Sequence, residues 1–277
     1  MAVVAVDWSG RKAGERRHLW TAEAHDGVLL RLEAGRTRDE VVDELVARAH
    51  DASGIVVGFD FSFSLPEWYL RARGFADARA LWDAASTDGE TWLRDCEPPF
   101  WGRPGRARPD LPAHLRRTEA AVATVGGIRP KSSFQIGGAG SVGTGSVRGF
   151  PFLARLQDAG YAIWPFDAPA SPPVAVEIWP RTFTGPVVKS NAAARAAHLD
   201  AHLPRLERAW RDAAVGSEDA FDAAVSAVVM SRHEPALRTL PALDDPGLRS
   251  EGCVWSPGRT TVESRDVSSL TARAAGD

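Results

Sequence analysis

Four carboxylates stand where the sequence makes a carboxylate costly. Asp7 closes the apolar run Ala2-Val3-Val4-Ala5-Val6, and Asp60 closes Ile55-Val56-Val57-Gly58-Phe59. Glu177 follows Val174-Ala175-Val176, and Asp222 lies inside Ala220-Phe221-Asp222-Ala223-Ala224-Val225. An ionised carboxylate against a core needs a cation to compensate it. Several gathered together suit a hard, oxygen-seeking cation such as Mg²⁺. Each acid also has a local reading. Asp7 could make an Asx turn at a strand end, and Glu177 could be an edge-strand acid paired with Arg181. Asp219, one turn before Asp222, rivals it as the helix ligand but equally suits a helix start. Asp222 is preferred because small and apolar residues flank it, so its helix must press closely on its neighbours.

The elements that would position these acids follow from hydrophobic pattern. Residues 2–7 read as a buried strand, 18–24 and 28–33 as two more around the Asp26-Gly27 hairpin signal, and 55–59 as a fourth. Between them Thr37 caps a helix, with Glu40 completing a capping box and Val41, Val42, Leu45, Val46 and Ala49 at helical spacing. A right-handed crossover that lays strand four parallel to strand one brings Asp7 and Asp60 to the same sheet edge, 53 positions apart in the chain. Residues 66–130, rich in Trp, Pro and Arg, read as an inserted, mainly helical subdomain packing its aromatics over one edge of the sheet. The stretch 101–131 is the most basic of the chain. A Gly-rich run at 137–145 precedes a helix expected over 147–159. Strands at 161–166 and 174–179, helices over 191–214 and 217–233, and a short strand at 252–255 complete the reading. The predicted class is α/β with a mixed sheet over residues 1–258, and 259–277 reads as a poorly ordered tail.

Bulk properties narrow the setting. With 277 residues and 44% hydrophobic content the chain can bury a full core. A net charge of -3 does not advertise nucleic-acid binding. Basic residues are almost all Arg, the lysines being Lys12, Lys131 and Lys189. Cys96 and Cys253 have neither metal-ligand spacing nor a disulfide framework, which points to a reducing cytoplasm. No apolar run approaches the ~20 residues of a membrane span, and the first residues lack a signal-peptide pattern.

The ordered series of short motifs resembles the DUF429 family of predicted nucleases with a ribonuclease H-like fold. The segments are Val-Asp-Trp-Ser-Gly at 6–10, Gly-Phe-Asp-Phe-Ser-Phe-Ser-Leu-Pro at 58–66, and Lys-Ser-Ser-Phe-Gln-Ile-Gly-Gly-Ala-Gly-Ser-Val-Gly-Thr-Gly-Ser at 131–146. Val-Glu-Ile-Trp-Pro at 176–180, Glu-Asp-Ala-Phe-Asp-Ala at 218–223 and Glu251-Gly252 complete it, spanning most of residues 1–256. The resemblance implies a mixed sheet flanked by helices and a divalent-metal-dependent phosphodiester hydrolase. Asp7, Asp60, Glu177 and Asp222 would hold one or two Mg²⁺ or Mn²⁺ ions, Asp7 as the bridging ligand. Two such ions ~4 Å apart activate a water and stabilise a leaving oxygen. Lys131 and Arg181 would meet substrate phosphates, Gln135 would orient a phosphate or base, and Trp101 would offer a stacking face. The substrate would be a nucleic acid or a nucleotide.

Two other classes remain open. The Gly-rich run 137–145 resembles the phosphate-binding loops of actin-like kinases and ATPases, though no Gly-Lys-Ser/Thr follows it. A catalytically silent binding protein of the same fold is the other. The seven histidines form no transition-metal signature, and His198 and His202, four apart on an expected helix, read as exposed. Sequence alone leaves the oligomeric state undetermined.

Overall fold

A computed structural model describes residues 1–138 and 140–258, so the expected tail at 259–277 lies outside the described residues. The chain opens with β1 (Ala2–Asp7), a helical turn α1 (Glu15–His18), and the hairpin β2 (Trp20–His25) and β3 (Val28–Glu33). His18 thus ends a helical turn and does not begin a strand. α2 (Arg38–Ala47) carries the expected capping box: Thr37 accepts from the Glu40 N–H and Glu40 accepts from the Thr37 N–H. β4 (Ile55–Phe59) follows, then α3 (Glu67–Arg73), α4 (Ala78–Asp95) and α5 (Arg117–Ala121). α6 (Gly143–Asp158), β5 (Ala162–Ile163), β6 (Val174–Ile178) and α7 (Arg181–Thr184) come next. The chain continues through α8 (Ala192–His202), α9 (Arg208–Gly216), α10 (Glu218–Arg232), α11 (Glu234–Arg238), α12 (Pro246–Glu251) and β7 (Val254–Trp255).

The seven strands form one mixed sheet in the order β3-β2-β1-β4-β6-β5, with β7 along the second half of β6. β1 runs antiparallel to β2 and parallel to β4, and β4 runs parallel to β6. The strand-one and strand-four ends are therefore neighbours, and the Asp60 N–H donates to the Val6 carbonyl at 3.1 Å.

Each sheet face is covered. Val4, Val6, Val57, Phe59 and Ala175 pack with α2, α4 and α6 on one side. Trp82 and Phe100 of the stretch 66–130 belong to that same cluster, so this stretch covers a sheet face and not only an edge. Val3, Ala5, Val56, Val174 and Val176 pack with α8 and α10 on the other side. α10 lies close to the sheet there because Gly58 has no side chain; a Cβ at Gly58 would meet the Met230 sulfur at 2.7 Å.

Two helix boundaries differ from the sequence reading. α6 begins four residues early, inside the Gly-rich run, because the Gly143 N–H donates to Gln135 O and the Thr144 hydroxyl to Ile136 O. These bonds outweigh the poor helix propensity of glycine. The single helix expected over 191–214 is broken into α8 and α9 at Leu203-Pro204, where proline lacks a donor and restricts the residue before it.

Candidate active site

Strand alternation sorts the acids. Asp7 continues the face of Val3 and Ala5, and Asp60 continues that of Val56 and Gly58, so both point to the α10 side. Asp222 meets them from α10, whose start is fixed by Ser217 accepting from the Ala220 N–H. All three line one cleft of about 780 Å³, with Asp219 and His18 at its margin. His18 Nδ1 lies 3.1 Å from Asp219, which occupies that acid locally.

Glu177 does not join them. It is paired in register with Phe59, one residue before Asp60, and so faces the opposite side of the sheet. There Arg116, fully buried, donates to both carboxylate oxygens of Glu177, with Nη1 to Oε2 at 2.9 Å, and the Phe63 N–H adds a third bond at 2.9 Å. Arg116 also binds Glu119 and the Glu251 carbonyl. Burial would lower the Arg116 pKa, but Glu119 and Glu177 outweigh it and hold the guanidinium charged. The Phe63 bond anchors the loop that follows Asp60. Glu177 thus stands apart from the other three acids, on the opposite face of the sheet and engaged by Arg116.

The three cleft carboxyls disturb one another. Asp7 is raised well above its ordinary pKa, first by burial, then by repulsion from Asp60 and Asp222. Asp60 is pushed up to about 7, by burial and then by Asp222. Asp222 is raised by burial against the opposing pull of Lys189, whose ammonium bonds its Oδ2. The Asp222 Oδ1 is buried and has no hydrogen bond among the described residues.

The opposite wall is basic and glycine-rich. Arg11, Arg103 and Arg148 line it with Gly137, Gly138, Gly140 and the amino end of α6. Neither the Arg11 nor the Arg103 guanidinium has an acidic partner among the described residues, whereas Arg148 pairs with Glu90. The loop after β1 is locked against this wall. Trp8 Nε1 donates to Gly145 O at 3.1 Å, and Arg38 donates to Ser9 O at 2.7 Å and Arg11 O at 3.0 Å. A Cβ on Gly10 would lie 2.5 Å from the Gly145 nitrogen, so the two walls meet only because Gly10 is glycine.

The other expected contacts are placed differently. Lys131 is exposed, with its stem beside Gly140 at the cleft rim. Gln135 is committed to the loop, donating to Gly137 O at 3.2 Å. Arg181 is buried, donates to Gly185 O and Val187 O, and is near enough to Asp222 to lower its pKa. Trp101 packs half-buried against the core. Within the basic stretch Arg116 is buried, Arg117 pairs with Glu67 and Asp245, and Arg106 pairs with Glu97. His198, expected exposed, is half-buried against Phe221, with its ring centroid 4.4 Å from that of His202 and the two rings tilted.

Lys189, Arg11, Arg148 and His18 were not foreseen. The rarity of lysine in this chain was the one visible hint at Lys189. For Arg116, an arginine in an arginine-rich stretch, no local signal existed.

The donor set suits a hard divalent cation in kind: three oxygen ligands, mutually repelling, one oxygen orphaned. The spacing is open, however. Among the described residues no three acid, histidine or cysteine side chains converge enough to hold an ion as they stand. Comparison with protein-family models, curated proteins and solved structures finds no match to this chain.

Proposed function

We propose that this protein is a divalent-metal-dependent phosphodiester hydrolase with a ribonuclease H-like core, as the resemblance to the DUF429 family implies. One observation carries the reading: Asp7, Asp60 and Asp222 line a single cleft together with Arg11, Arg103 and Arg148. Acids together with guanidiniums, those of Arg11 and Arg103 having no acidic partner among the described residues, suit a phosphate diester that must meet a cation and have its own charge neutralised. The cleft volume falls in the range of ligand pockets, large enough for a nucleotide-sized portion of a substrate.

Asp7, Asp60 and Asp222 would hold Mg²⁺ or Mn²⁺, with Asp219 within reach at the margin. Such an ion polarises a phosphoryl oxygen and acidifies a water. Arg11 and Arg103 neutralise the substrate phosphate, and the amide donors at the α6 start add a second source of positive potential. Arg38 and Trp8 keep the loop after Asp7 in place, and Glu177 with Arg116 keeps the loop after Asp60 in place.

The glycine-rich wall favours one other reading, a nucleotide-binding phosphotransferase of actin-like architecture. The test separates them. Short labelled single- and double-stranded DNA and RNA, a dinucleotide and ATP are incubated with protein and Mn²⁺. Cleavage of a diester that Asp7→Asn and Asp222→Asn each abolish, with unchanged circular dichroism, supports the hydrolase. Consumption of ATP alone supports the phosphotransferase. Binding without turnover of either points to a silent module.

A further inference from the structure

His18 and Asp219 stand 201 positions apart in the chain and meet at the cleft. His18 ends α1, and Asp219 lies in the first turn of α10. Both line the cavity that also holds Asp7, Asp60 and Asp222. One bond joins them, between His18 Nδ1 and Asp219 Oδ2 at 3.1 Å. An ionised carboxylate can only accept, so Nδ1 carries the proton and donates. That bond orients the ring. Nε2, on its other edge, makes no hydrogen bond among the described residues, in a side chain that lines the cleft.

Backbone bonds set the place of His18. In α1 the Arg17 N–H donates to Gly14 O at 2.9 Å and the Leu19 N–H to Glu15 O at 3.0 Å. The Gly35 N–H, past the end of β3, donates to Arg16 O at 2.7 Å. Glu15 pairs with Arg38 at 3.2 Å, and the same guanidinium donates to Ser9 O and Arg11 O. One buried arginine therefore holds both the turn that carries His18 and the loop that carries Arg11. Asp219 stands on a helix start capped by Ser217, whose hydroxyl accepts from the Ala220 N–H at 3.2 Å.

A structural tie between α1 and α10 is the plainer role for such a contact. Exposure speaks against it: the two side chains are 31% and 34% exposed, and ion pairs this open to solvent add little to stability. What the contact does is orient. A carboxylate on one imidazole nitrogen selects the tautomer and stabilises the ring when the second nitrogen takes a proton. The ring is thereby equipped to pass a proton at Nε2.

We propose that His18 is the general acid of this cleft, giving the leaving oxygen of a phosphate diester its proton, with Asp219 as the positioning residue. The proposal rests on the phosphodiester hydrolase reading above and on no particular number of metal ions. In the step, a water oxygen forms a bond to phosphorus as the bond from phosphorus to the leaving oxygen breaks. Nε2 of the protonated ring passes its proton to that oxygen, so an alcohol departs and not an alkoxide. The water gives up one proton as it joins the product phosphate, and His18 regains one from solvent. Asp219 stays a carboxylate throughout. Arg11 and Arg103 cannot take this part, because a guanidinium does not release its proton.

The test compares two diesters whose leaving groups need different help. In bis(p-nitrophenyl) phosphate the p-nitrophenolate departs without a proton; in a dinucleotide the sugar oxygen does not. The full chain as wild type, His18→Asn and Asp219→Asn is assayed on both with Mn²⁺, and circular dichroism checks the fold. Asparagine at position 18 keeps a donor for Asp219 and removes the acid. His18→Asn is expected to lose about a hundredfold more kcat on the dinucleotide than on the p-nitrophenyl ester. Asp219→Asn is expected to show the same bias at about tenfold, and carries the comparison if His18→Asn does not fold. A structural tie would cost both substrates alike. Equal losses on the two, or none on the dinucleotide, would overturn the role of His18 and leave the hydrolase reading in place. So would a wild type that cleaves the p-nitrophenyl ester alone. A wild type that cleaves neither diester would overturn the hydrolase reading itself, and this proposal with it.

Discussion

At the scale of the residue, the cleft is a set of carboxylates held close against their own repulsion. Asp60 has a pKa of about 7 in the folded chain against 3.8 for the free side chain. Between those values the folded state keeps a proton that the unfolded state has released, so stability falls as pH rises through that window. Without metal, thermal melts from about pH 4 to 7 should show this fall, and Asp60→Asn should flatten it. Asp7→Asn should also be at least as stable as wild type above pH 7 while losing activity. That combination, read by melting and by cleavage assay, marks repelling site residues and not structural ones. Glu177 predicts the reverse. Glu177→Gln removes one of the two carboxylates that engage the fully buried Arg116, the other being Glu119, and should destabilise the fold by about 1–3 kcal/mol in urea titration.

At the scale of the element, the site depends on how closely backbones cross. The loop after β1 touches the start of α6 at Gly10, where a methyl group has no room beside the Gly145 nitrogen. Backbone cannot rotate away as a flexible side chain can. Gly10→Ala should therefore cost about 1–3 kcal/mol and displace the Arg11 wall, which would show as lost substrate binding by fluorescence anisotropy with metal affinity little changed. Gly58 plays the corresponding part under α10, where its missing Cβ lets Met230, and with it Asp222, come down onto β1 and β4. One cap is legible in the sequence, the Thr37–Glu40 box that opens α2, and so is the start of the α10 helix at 217.

At the scale of the whole molecule, the acids come from both sides of a layer boundary. Asp7 and Asp60 belong to the sheet and Asp222 to the helix that covers it, so an ion bound among them would bridge two layers of the fold. Binding to the native state alone stabilises it by mass action, about 2.7 kcal/mol at a hundred times the dissociation constant. Saturating Mn²⁺ should therefore raise the melting temperature by about 5 °C, and a chelator should reverse the shift. Asp222→Asn should abolish both effects if the ion joins the layers.

The sequence by itself determined the strands that end in Asp7 and Asp60, their adjacency through a right-handed crossover, and the helix that carries Asp222. These follow from local pattern and from chain connectivity, which act over short spans or through general handedness. Only the tertiary structure decided which face of the sheet each acid occupies. Glu177 reads in sequence like Asp7 and Asp60, an acid after an apolar run, yet its register beside Phe59 sends it to the other side, into Arg116. A shift of one position in register reverses the face of a strand residue, and no local pattern reports that shift. The same holds for Lys189 and the arginine wall. Their contacts join residues 33 positions apart or more, so only the assembled layers bring them to the cleft.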